Sequence, residues 1–113
     1  MAAVAFFAFL FAAAIGSLVA WNHFAGRTSP KSCGVIHGIP IVIGIAALIG
    51  AVFFTSGGMT GWWLVVAFGL VAAGGSYLIS RQVRGETWPG VVVIAHGGFA
   101  VASIVALGIW MFG

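Results

Sequence analysis

The chain has 113 residues, of which 63% are hydrophobic and 4% charged, with a formal net charge of +3. Soluble domains run near a quarter charged, so these numbers exclude a water-facing surface and predict a membrane-embedded fold. They also exclude chemistry: Glu86 is the single carboxylate side chain and Cys33 the single thiol, so no carboxylate pair, intrachain disulfide or CxxC motif can form.

Four apolar stretches follow one another, at about 2–21, 33–54, 62–80 and 90–112. Each is near the roughly 20 residues a helix needs to cross the hydrocarbon core. Helices are predicted because each span must satisfy its own backbone hydrogen bonds in lipid. The first span has no Lys or Arg before it and outruns a signal-peptide core, so it is read as a permanent helix. Pro40 lies inside the second span and is expected to bend it. The phenylalanines that open the first span (Phe6, Phe7, Phe9, Phe11) are expected to face lipid or to pack.

The few charges predict orientation. Arg27 and Lys31 fall between spans one and two; Arg81, Arg84 and Glu86 fall between spans three and four. All four basic side chains therefore lie on one side, which the positive-inside rule makes cytoplasmic. Both termini and the loop 55–61 then face outward. Trp21 and Trp88 mark one interface, and Trp62, Trp63 and Trp110 the other. The basic pI of about 10.0 reflects this topology and calls for no nucleic-acid partner.

Shifted by 59 residues, the sequence aligns to itself without a gap, with 16 identities between 2–54 and 61–113. This composition would give about five by chance. Thr28 and Pro30 fall on Thr87 and Pro89, His37-Gly38 on His96-Gly97, and Ala13-Ala14-x-Gly16-Ser17 on Ala72-Ala73-x-Gly75-Ser76. The expected architecture is all-α: a single four-transmembrane-helix bundle of two tandem helical hairpins, with pseudo-two-fold symmetry about the membrane normal. The shared small residues of spans one and three are expected to let helices approach closely.

His37 and His96 each stand seven residues after a loop proline, so both lie one to two turns inside a span, at one depth. An ionisable side chain inside a membrane is costly, and a matched pair is a functional candidate. Zinc asks the protein for three or four ligands, whereas haem brings four nitrogens and asks for one or two. Gly38 and Gly97 would leave room for a macrocycle or allow close helices. Arg27, Lys31, Arg81 and Arg84 are on the side where a carboxylated ligand edge needs cations. Alternatives stay open: backbone hydrogen bonds that only stabilise packing, a metal-ion or proton path, or two separate tetrapyrrole pigments. Cys33, four residues before His37, is read as an inert thiol, His23 as an interfacial histidine, and Tyr77 as a packing residue or a donor to a cofactor.

The paired His-Gly motifs resemble those of a small membrane b-type cytochrome, in which two helices each give a histidine to one haem. The chain is also similar to small four-helix bacterial inner-membrane proteins with His-Gly near the start of alternate helices. The resemblance implies non-covalent, bis-histidine haem b held by His37 and His96, and electron transfer with quinone or with other redox subunits in a homo- or hetero-oligomer. It implies no independent catalysis. The other readings are a structural accessory subunit and a small metal-ion or proton transporter.

Overall fold

The computed structural model describes all 113 residues as four helices: α1 (Ala2–Phe24), α2 (Ser32–Phe54), α3 (Gly58–Val83) and α4 (Gly90–Phe112). All four are long and apolar enough to cross a membrane. The main extensions beyond the predicted spans are at the C-terminal end of α1 and at both ends of α3. α1 runs on through Trp21 to Phe24, and α3 runs from Gly58 through Arg81 to Val83. A helix need not stop where its apolar run stops, since an interfacial turn keeps its backbone bonds and faces water with its side chains. Pro40 cannot donate a backbone hydrogen bond, yet α2 continues through it as one helix.

The helices form a ring in which each touches its two sequence neighbours and α1 closes on α4. α1 faces α3, and α2 faces α4, across the diagonals, with no close backbone approach. The α1–α2 pair is the most closely packed. Reciprocal glycine seats explain this: Gly44 of α2 lies under the Phe9 ring of α1, and Gly16 of α1 lies under the His37 ring of α2. A glycine at each seat lets the ring edge come close to the neighbouring backbone.

The α1–α2 and α3–α4 connections are built alike. Gly26 and Gly85 both take φ of 70°, a conformation that glycine adopts without strain. Around them the Arg27 amide bonds the Asn22 carbonyl at 2.8 Å, and the Glu86 amide bonds the Arg81 carbonyl at 2.9 Å. These are Schellman caps, which satisfy the last carbonyls of each helix before the chain turns back. The remaining connection is shorter and turns through Gly58, also at positive φ.

Just 16 of the 113 residues are buried. The rest of the apolar surface faces outward, including Phe54 at 83% and Val91 at 79% exposure. A soluble protein would not tolerate so much exposed hydrocarbon, whereas lipid solvates it. Inside, Phe9 of α1 stacks on Phe68 of α3 with centroids 3.8 Å apart and planes 4° from parallel. Towards the α2–α3 connection, Ala5, Leu48, Val52, Leu64 and Leu107 continue the core. On the other side of the stack, towards the basic loops, lies the histidine layer.

Candidate functional site

His37 stands in the second turn of α2 and His96 in the second turn of α4. Their rings meet across the α2–α4 diagonal with centroids 6.4 Å apart and planes inclined by 74°. Matched depth leaves helix rotation open, and the rotation of α2 and α4 brings the two rings together. His37 Nδ1 lies 2.8 Å from the Ala12 carbonyl of α1. A carbonyl only accepts, so Nδ1 must carry the hydrogen and donate it. The neutral ring is thereby fixed in the tautomer that leaves the Nε2 lone pair free, as a metal ligand requires.

The two histidines differ in one respect. His96 Nδ1 is buried and has no hydrogen-bond partner. The Val71 carbonyl of α3 precedes His96 by 25 residues, as Ala12 precedes His37. It acts on the ring as a weak backbone acceptor, without a well-formed hydrogen bond to Nδ1.

The glycines that matter here sit on the helices opposite the rings. A Cβ added at Gly16 would fall 2.9 Å from His37 Cε1. One at Gly75 would fall 3.2 Å from His96 Cε1, and one at Gly74 would fall 3.3 Å from His96 Nδ1. Gly16 and Gly75 belong to the small-residue segments read from sequence as helix-packing elements; their work is to seat the imidazoles. Gly38 and Gly97 are different. A Cβ at either would meet nothing within 4 Å. They border the site in sequence and make no contact in it, because adjacent helix positions point in different directions.

No three side chains among His, Cys, Asp and Glu converge anywhere in the chain. Cys33 thus adds no third ligand to the histidine pair. His23 packs on Phe24 and on Trp88, at 5.1 and 5.5 Å between centroids, nearer the loops. Tyr77 is exposed beneath Arg81, whose guanidinium carbon lies 5.9 Å from its ring centroid.

The basic loops are unequal. Glu86 bridges Arg81 at 3.0 Å and Arg84 at 2.9 Å, and Arg81 also bonds the Thr87 carbonyl at 2.9 Å. The hydrogen bond from Arg84, aided by the charge of both arginines, holds the Glu86 carboxyl below its usual range. The lock is present above the ordinary carboxylate pKa and is lost as pH falls through the lowered one. Arg27 and Lys31 are exposed and make no ion pair, so the α1–α2 loop offers the free cations.

A cleft of about 720 Å³ lies at the opposite end of the bundle among Met1, Phe7, Gly50, Phe54, Met111 and Phe112. Gly50 is thirteen residues beyond His37, or about 20 Å along the helix. A molecule in that cleft would not reach the imidazoles.

No protein-family model matches this sequence, and no curated protein or solved structure matches it significantly. The likeness to b-type cytochromes therefore rests on the two His-Gly motifs alone.

Proposed function

We propose that the chain is a haem b-binding electron-transfer protein of a membrane, with His37 and His96 as the two axial ligands. The observation that carries this reading is the pair of imidazoles facing one another at 6.4 Å with no third His, Cys, Asp or Glu side chain joining them. Two imidazoles on opposite sides of one metal stand roughly 6 Å apart between ring centres, given metal–nitrogen bonds of about 2 Å and the size of the rings. A donor set of only two suits a group that brings its remaining donors with it. The tautomer enforced at His37 by the Ala12 carbonyl suits Nε2 ligation.

When bound, haem b supplies a one-electron couple. The protein's part is to hold two nitrogens in place, keep water out with the Phe9–Phe68 stack, and offer cations at the loop side. Because Glu86 occupies Arg81 and Arg84, Arg27 and Lys31 are the natural partners for the carboxylates of such a ligand. Electrons would reach such a group from a quinone or from a separate redox subunit.

The same reading takes the chain as two copies of one hairpin, 2–54 and 61–113. Support comes from contacts that recur at the 59-residue offset. Phe9 faces Phe68, His37 faces His96, Gly16 and Gly75 each seat an imidazole, and Gly26 and Gly85 turn identical caps. The orientation, with the basic loops cytoplasmic and the membrane a bacterial inner membrane, is proposed from the four cations and the resemblance.

A second reading has its own observation. A hydrogen bond from a histidine to a carbonyl on another helix, as at His37, is also how a purely structural polar contact looks. The chain would then be an accessory subunit of a larger complex. The meeting of the two imidazoles at 6.4 Å favours the first reading, since packing contacts alone do not require the rings to face each other. A transporter built on an embedded carboxylate has less support, as Glu86 is exposed and paired in a loop.

Absorption spectroscopy of protein purified from a haem-replete host tests the proposal. The reduced-minus-oxidised spectrum should carry the sharp low-spin bands of a b-type haem, absent from His37→Ala and from His96→Ala. A stable but colourless wild type would overturn the haem reading, and unchanged bands in both variants would overturn the ligand assignment.

A further inference from the structure

Resting on the haem reading, we infer that the two ligands are unequal: His37 is the fixed one and His96 the exchangeable one, so a small neutral donor binds on the His96 side. Three observations converge on this. His37 donates from Nδ1 to the Ala12 carbonyl at 2.8 Å, while His96 Nδ1 is buried without a partner. Such an outer bond orients a ligating imidazole and raises its basicity, and its loss typically costs 10–100-fold in metal affinity.

The seats differ in the same sense. Gly16 presses against His37 more tightly than Gly75 and Gly74 press against His96, with 2.9 Å against 3.2 and 3.3 Å to an added Cβ. Helices α1 and α2 also pack more closely than α3 and α4. Finally, His96 is followed by the pair Gly97-Gly98, whereas His37 is followed by a single glycine, Gly38, then Ile39 and Pro40. Paired glycines soften a helix, and proline fixes φ.

The step is a ligand exchange. The metal–nitrogen bond to His96 breaks and one bond to the incoming neutral donor forms. No electron is transferred and no proton has to move, since His96 leaves as the neutral imidazole it already was. The ligand class is small, neutral σ-donors of the size of carbon monoxide or imidazole, because the site is apolar and has no cation at its own depth to hold an anion.

The test loads wild type, His37→Ala and His96→Ala with haem b in detergent and measures haem dissociation constants from the Soret band. His96→Ala should retain haem about 10- to 100-fold more tightly than His37→Ala, and after reduction should bind carbon monoxide. Should either alanine variant misfold, His96→Gly and His37→Gly with imidazole added to the buffer provide the second measurement. Imidazole should restore low-spin bands in the first at lower concentration than in the second. Equal or reversed affinities, or equal rescue, would overturn the inequality while leaving haem binding intact. A wild type that takes up no haem at all would overturn both readings together.

Discussion

Two pairs of glycines show how differently the same residue type can act. Gly16 lies under an imidazole that is itself tied to the Ala12 carbonyl, so a methyl group there must push the ring off its acceptor. Gly16→Ala should destabilise the bundle by about 1–3 kcal/mol, the usual range for overpacking, and weaken the low-spin bands. Gly38→Ala adds its methyl to open space. It should leave stability unchanged or raise it by up to about 1 kcal/mol, as the helix gains a better former. Unfolding of both variants by sodium dodecyl sulfate titration from mild detergent measures the difference; equal losses would contradict the packing described. The sequence pattern singles out the two histidines whose rings meet, but attaches importance to the glycines beside them. The reason is helical geometry. A residue next in sequence turns about 100° away, whereas a ring is received by a residue of another helix. Gly16 and Gly75 were visible as a shared small-residue motif, but nothing in sequence ties them to a histidine more than twenty positions away.

At the scale of the elements, the four helices were legible because hydropathy and length alone define a membrane span. Their ends were less so, as α1 and α3 run past their apolar cores into interfacial turns. Rotation about each axis was least legible. A helix in a soluble protein announces its buried face by contrast with a polar one, but here both faces are apolar. Phe7 and Phe11 face outward while Phe9, between them, is buried on Phe68. That stack depends on Gly44, where an added Cβ would fall 2.6 Å from Phe9 Cε1. Gly44→Ala should therefore cost about 1–3 kcal/mol. In a Phe9→Leu background the cost should shrink, because the obstructing ring edge is gone. A double-mutant cycle by the same titration reads this coupling; strictly additive losses would mean that Gly44 acts through something other than the ring.

For the whole molecule, the sparse charge that first pointed to a membrane also predicts which way the bundle lies in it. The long dimension of 45 Å matches hydrocarbon plus headgroups, and every basic side chain is at one end. Yet the two loops do not contribute alike. Glu86 cancels part of the charge of the α3–α4 loop, while Arg27 and Lys31 stand free. The positive-inside rule counts Lys and Arg and gives little weight to Glu, so both loops should stay cytoplasmic despite the ion pairs. The chain's single cysteine makes this measurable. In a Cys33→Ser background, Ser56→Cys places a thiol in the α2–α3 connection, and Thr28→Cys places one in the α1–α2 loop. Both positions are exposed and outside the helices. A membrane-impermeant maleimide added to intact spheroplasts should label the thiol at position 56 directly and the thiol at position 28 only after permeabilisation. The reverse pattern would put the histidine layer in the outer leaflet, and under the proposed haem reading electrons would then reach it from the other side of the membrane. Equal labelling of both without permeabilisation would mean that the cations do not fix one orientation.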